Sequence, residues 1–244
     1  MYYRNDHDEQ TSHQNNLRFN PFKALIAPRP IGWISTIDSE GNVNLAPYSY
    51  FQAVADNPDI VLFSASSEII QTNETVKFGK ARKHSESNAI LGGEFVCNLV
   101  NLNLKDQMNI TSAHIPQGVS EAQIAGLELT KSKYVSPPRV KNAPAALECI
   151  VVDSHPVKHR KGEHIFHLVF GEVINTYIDD QYVKEGKIDT VAMSLVTRMG
   201  YDEYTVTNSS FAMTRPDFDP LQSGLLNHQN LEPNKTMTSG ENIE

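Results

Sequence analysis

Only two cysteines, one tryptophan and no long apolar run occur in the 244 residues, and each shortage closes off a class of protein. Cys97 and Cys149, each inside an apolar strand-like run, are too few to frame a disulfide-rich scaffold. Buried free thiols in a reducing compartment are the expectation, with a single disulfide as the alternative. No stretch comes near the ~18 consecutive apolar residues that a spanning helix needs. The opening MYYRNDHDEQTSHQNN is polar and acidic and lacks the apolar core of a signal peptide. A soluble, cytoplasmic protein without membrane contact is therefore expected. Basic charge is also short: the net charge of −8 argues against a nucleic-acid binder, which needs a basic face, and leaves room for a local basic pocket.

Familiar catalytic signatures are missing as well. The nine histidines are scattered, and His164 and His167, three apart on one strand, face opposite sides and do not share an ion easily. No G-x-S-x-G, Walker loop or G-x-G-x-x-G in a strand-to-helix setting occurs.

What is present is mostly strand and turn. Ile31 to Ile37 is an apolar run, Asp38-Ser39-Glu40-Gly41-Asn42 is turn chemistry with Gly41 free to take positive φ, and Val43 to Ala46 restarts an extended segment. Pro47, lacking an N–H, is expected to end regular pairing there. Further strands are expected at Gln52–Ala55, Ile60–Ser64, Glu94–Val100, Ala146–Val157 and His164–Ile178. Gly171 is expected to mark a bulge or a close approach. Short helices are expected at Ser85–Leu91, stopped by Gly92-Gly93, at Leu104–Ser112, and from the capping box at Ser120. Residues 68–84 read as a polar excursion over the surface. The segment 1–16 reads as a disordered lead, 17–207 as one domain and 208–244 as an extension or arm. Strands outnumber helices without regular alternation, so the architecture is mostly β with helices covering barrel ends.

Three segments carry suggestive chemistry. Asn44-Leu45-Ala46-Pro47-Tyr48-Ser49-Tyr50-Phe51 combines small residues, hydroxyls and flat aromatics. Ser64-Ala65-Ser66 follows a strand end, and Lys83-His84-Ser85 precedes a short helix. Small residues admit a ligand to the backbone, aromatics stack on a ring, and hydroxyls with lysine at a helix N-terminus suit a phosphate. From the residues alone, the segments either converge on a phosphorylated aromatic cofactor or are unrelated pieces of ordinary strand and helix-start chemistry.

PRPIGWISTIDSEGNVNLAPYSYF, residues 28–51, resembles the signature of the flavin reductase-like, FMN-binding split-barrel family, in its flavoredoxin-type branch. Later blocks follow in order: GEFVCNLV, MNITSAHIPQGVSEAQIAGLEL, SPPRVKNAPAALEC, GEVI, and Arg198-Met199-Gly200 with Tyr204. The resemblance runs from about Phe19 to Tyr204. It implies a six-stranded antiparallel split barrel and a homodimer with FMN at or near the interface. It also implies that Asn44, Ala46, Pro47, Tyr48 and Ser49 line the ring and ribityl chain, largely through backbone atoms. Ser64 and Ser66 are implied to reach the ribityl or phosphate, and Lys83 and Ser85 the phosphate; Arg29 is a further phosphate or dimer-contact candidate. His84 stands where the family commonly has an acid. Gly162-Glu163-His164 is out of register with the Asp-His pair that many flavin reductases use toward nicotinamide. The implied function is an oxidoreductase passing electrons from NADH or NADPH to flavin or another small-molecule or protein acceptor. The alternatives are an FMN-containing electron carrier without its own small-molecule substrate, and a flavin-free binding module on the same barrel.

Overall fold

A computed structural model describes residues 17–72, 75–78, 84–113, 115, 119–158 and 164–215. The expected lead 1–16, Lys83, residues 159–163 and residues 216–244 lie outside the described residues. The chain divides into two units, Met1–Ser209 and Ser210–Glu244; the elements below belong to the first.

A four-residue helix, α1 (Phe22–Leu25), leads into β1 (Arg29–Pro30), β2 (Gly32–Ile37), β3 (Val43–Tyr48), β4 (Phe51–Asp56), β5 (Asp59–Thr72) and β6 (Thr75–Phe78). Helix α2 (His84–Gly92) precedes β7 (Glu94–Asn98), followed by α3 (Lys105–Ile110), α4 (Glu121–Ile124), β8 (Leu129–Thr130) and β9 (Arg139–Val140). Two long strands, β10 (Ala145–Lys158) and β11 (His164–Ile178), come next. Short pieces complete the unit: β12 (Val183–Lys184), β13 (Lys187–Ile188), β14 (Val196–Arg198) and β15 (Tyr204–Val206).

The main sheet is antiparallel in the order β3-β2-β7-β10-β11-β5-β4, with β6 added to β5. It curls into a barrel. Ile34 of β2, Tyr48 of β3, Phe51 of β4, Phe63 of β5, Phe95 of β7, Cys149 of β10 and Val169 of β11 meet in one buried cluster. A flat sheet would hold its end strands, β3 and β4, on opposite margins. Here the Tyr48 and Phe63 rings stand 5.1 Å apart, and Phe63 and Phe95 5.3 Å. Each fully buried phenylalanine contributes about 2–3 kcal/mol.

The run Ile31–Ile37 is apolar without alternation because β2 is covered on both sides. Ile34 points into the barrel, while Trp33 points outward into a second cluster with Leu45, Met108 of α3, Ala122 of α4 and Val196 of β14. The Trp33 indole N–H donates to Thr111 Oγ1 at 2.9 Å, which keeps its polar edge satisfied.

Most turn signals act as their chemistry dictates. Gly41, Gly93 and Gly126 all have positive φ, and Ser120 Oγ caps α4 by accepting from the Gln123 N–H. Gly171 combines both expected features. A Cβ there would lie 2.4 Å from the Phe95 ring, and β10 slips register opposite it, between Val151 and Asp153. Cys97 and Cys149 are both free and buried; burial pushes both thiols up.

Three expectations are corrected. Pro47 does not end β3, which runs on to Tyr48 paired with Gly32; as the end strand of the sheet path, β3 tolerates a residue without a donor. Within the expected excursion 68–84, residues 68–72 and 75–78 are regular strand. The β5 strand continues to Thr72 and β6 returns along it, Ile69 opposite Phe78 through Thr72 opposite Thr75. From Ile69 to Phe78 the sequence has five β-branched residues against two charges. The strand count also exceeds six, because β6 and the extra edge strand enlarge the sheet.

Candidate functional site

Strand β3 sets the geometry of the site. Pro47 has no N–H, so the Trp33–Pro47 pair is a non-hydrogen-bonded one. By alternation, Leu45 opposite Ser35 is non-hydrogen-bonded too, and its N–H turns to the open edge of the sheet. There it donates to Glu121 Oε2 at 3.2 Å. The strand period places Asn44, Ala46 and Tyr48 on the side facing the barrel and α2, and Leu45 on the other.

Ser85, in the first turn of α2, ties that face to the helix. Asn44 Nδ2 donates to Ser85 Oγ at 2.7 Å in a buried bond, and the Tyr48 side chain is hydrogen-bonded to Ser85 as well. Burial pushes the Tyr48 phenol far up, the Ser85 bond opposes this, and the nearby Glu86 and Glu121 charges add to it. The phenol is therefore a neutral hydrogen-bonding group over the whole working pH range. One residue further on, Glu86 Oε1 meets His167 Nδ1 of β11 at 2.8 Å.

Asn44, Ala46, Pro47, Tyr48 and Ser85 border one hollow of about 70 Å³, closed by the Thr111–Ala113 turn. A cleft of about 480 Å³ adjoins it and shares Asn44, His84 and Glu121, with Asn42, Asn88 and Gln123 on its walls. Small-molecule sites measure roughly 300–1,000 Å³, so the hollow alone is too small for a three-ring system and the cleft is large enough.

The other expected residues lie elsewhere. Ala65 is in the barrel core, so Ser64 and Ser66 on either side of it face outward. The Ser64 N–H donates to Tyr50 C=O at 2.8 Å, and Ser66 lines a different cavity. Ser49 occupies the bend between β3 and β4, half-buried. Arg29 is not available as a phosphate ligand. It is buried, and its guanidinium donates to the carbonyls of Lys23, Ile26 and Met199, the last at 2.7 Å. It fastens α1 and the turn after β14 to β1. Lys83 lies outside the described residues.

Glu121, Thr111 and the Glu86–His167 pair are the site's additions to the sequence reading. The capping box at Ser120 located the helix that carries Glu121, but only the pairing of β3 shows what its carboxylate accepts. Nothing near Glu86 in the chain points to His167.

A family model described as the flavin reductase like domain matches residues 25–197. The chain belongs to the flavin reductase-like family. An uncharacterized protein of Deinococcus radiodurans is 32% identical to this family member over 217 residues, covering 86% of this chain and 89% of its own length. Among solved structures, nitrilotriacetate monooxygenase component B from Bacillus cereus superposes with a TM-score of 0.72 at 26% identity, covering 87% of this chain and 98% of its own. A split barrel domain protein of Shewanella frigidimarina gives 0.67 at 22% identity over 90% of this chain and all, 100%, of its own. The fold of this family member is thus the antiparallel split barrel, and membership places it among flavin-associated redox proteins. Among the described residues, no helix is long and apolar enough to cross a membrane.

Proposed function

We propose that this chain is a cytoplasmic FMN-binding oxidoreductase that passes electrons from NADH or NADPH to flavin or another acceptor. In this reading it works as a homodimer with FMN at or near the subunit interface. The flavin-binding domain is assigned to residues 17–207 and an arm to 208–244. The observation that carries the reading is the open edge of β3 beside the first turn of α2. Ala46 and Pro47 have no long side chains to block an approach, and Leu45 and Pro47 offer edge carbonyls. Asn44, Tyr48 and Ser85 supply neutral hydrogen-bonding groups.

These donors fit the uncharged ring and ribityl chain of FMN, which would extend from the hollow into the adjoining cleft. The phosphate is assigned to the start of α2, where Lys83 and the helix N-terminus favour an anion. When bound, the flavin supplies the redox chemistry, taking up a hydride equivalent and releasing electrons to an acceptor. The residues named here bind it and orient it; none of them needs to move a proton.

The test is anaerobic mixing of the FMN-loaded protein with NADH and, separately, NADPH while the flavin absorbance is followed. Bleaching on a turnover timescale is expected. Absence of bleaching with both donors, in a protein that a partner protein reduces rapidly, would replace the reductase by a carrier. A purified protein that stays colourless and takes up no added FMN would remove both.

A further inference from the structure

Five aromatic side chains stand around a cavity of about 920 Å³ on the outer side of the barrel. Phe19 and Phe22 come from the lead-in and start of α1, Tyr50 from the bend between β3 and β4, Phe166 from β11, and Tyr201 from the turn after β14. Two ring pairs stand on its wall, one tilted and one edge to face. Phe19 and Tyr201 are 5.7 Å apart at 58°, and Tyr50 and Phe166 are 6.4 Å apart at 70°. Phe19 is 68% exposed, Phe22 50% and Tyr201 47%, an apolar cluster of the kind that marks an interaction site. The volume lies in the range of small-molecule pockets.

The charges on the wall narrow the choice of ligand. Asp202 sits 3.3 Å from the Arg198 guanidinium, so its charge is compensated. Lys23, which also lines the cavity, has no ion-pair partner among the described residues, and its ammonium lies 6.0 Å from the centre of the Tyr50 ring. Ser66 adds a hydroxyl. The cavity therefore offers flat apolar walls and one uncompensated positive charge.

We propose that this cavity binds a planar aromatic carboxylate, its ring among the five aromatics and its carboxylate on Lys23. The inference needs no flavin and does not rest on the reading of the hollow beside Ser85. The two spaces share no lining residue: Tyr48 borders the hollow and Tyr50 this cavity.

Calorimetric titration of the full chain with 2-naphthoate and with uncharged 2-naphthamide tests it. Naphthoate is expected to bind saturably, one per chain, and roughly three- to fivefold tighter than naphthamide, the size of a partly exposed ion pair. Lys23→Gln is expected to erase that difference, and Phe166→Ala to weaken both ligands, with unchanged circular dichroism. Added FMN is expected to leave naphthoate binding in place. No saturable binding of naphthoate, equal binding of the two probes, or a folded Lys23→Gln chain that keeps the preference would each overturn the proposal. Displacement of naphthoate by FMN, one for one, would make the cavity part of the flavin site and overturn it too. So would a dimer that Phe22→Glu dissociates and that binds neither probe, since the aromatics would then be covered by a second copy.

Discussion

Glu86 Oε1 and His167 Nδ1 lie 2.8 Å apart inside the protein, their side chains 0% and 6% exposed. The pair joins the first turn of α2 to β11 on the barrel wall. His167 is two residues before Val169, a member of the barrel core, so the strand period turns it inward toward the helix. Glu86 is the neighbour of Ser85, so this contact also holds Ser85 against Asn44 and Tyr48. Removing one member leaves the other buried without its partner. His167→Ala is expected to lower stability by about 3 kcal/mol, and the double change Glu86→Leu with His167→Leu to recover most of it. Urea unfolding measures both; a single variant within about 0.5 kcal/mol of wild type would show that the contact carries no weight.

Substitutions at Ser85 and Lys83 test scaffold and ligand separately. Ser85→Ala strips a partner from both Asn44 and Tyr48, so it is expected to cost about 1–3 kcal/mol of stability with or without flavin. Lys83→Ala is expected to leave stability unchanged and to weaken FMN about tenfold, a charge-assisted phosphate contact, while riboflavin is unaffected. Fluorescence titration with the two flavins reads this out. Equal losses for FMN and riboflavin would remove the phosphate assignment.

Gly171 has no room for a methyl group. A Cβ there would sit 2.4 Å from the Phe95 ring and 3.0 Å from Cys149 Cβ. Gly171→Ala is expected to destabilise by about 1–3 kcal/mol through overpacking. Gly41→Ala meets nothing within 4 Å, but φ is +86°, and it is expected to lose about 1 kcal/mol through backbone strain alone. In thermal melts, Phe95→Leu is expected to rescue the first variant and not the second.

The β2–β3 turn carries an acid-sensitive contact. Asp38 accepts the N–H groups of Asn42 at 2.8 Å and Glu40 at 2.9 Å, and the Asn42 side-chain amide at 3.0 Å. These bonds, that of the Asn42 side chain foremost, hold its carboxyl below the ordinary 3.8. The folded value is the lower one, so the contribution to stability is complete above the unfolded value and is lost as pH falls through the folded one. Wild type is therefore expected to exceed Asp38→Asn in stability at neutral pH, with the gap closing below about pH 4. Urea midpoints of the two proteins across that range provide the check; a constant gap would exclude the linkage.

The parts of this fold that were legible beforehand are those whose causes lie within a few residues. Gly41 in its turn, the Ser120 cap and Gly93 at the end of α2 each act on neighbours in the chain. Residues 68–84 were misread because charge was weighed above the β-branched residues that extend β5 and form β6. Pro47 was misread because the cost of a proline depends on which side of the strand is open, and that is set by the order of strands. Arg29 is a phosphate or dimer-contact candidate in the sequence; one of the carbonyls that uses it, that of Met199, is 170 residues away.

By itself, the sequence determined the β-rich class, the turns and helix ends, and the family, because periodicity, glycine, proline and long residue blocks act locally and are read in order. Tertiary structure alone decided which polar groups remain for chemistry. It spent Arg29 on carbonyls, turned the Leu45 N–H to Glu121, gathered Asn44, Tyr48 and Ser85, and sent Ser66 to a different cavity. The physical reason is that a donor or a charge is available only if no partner from a distant strand has reached it first, and the closure of the barrel chooses those partners.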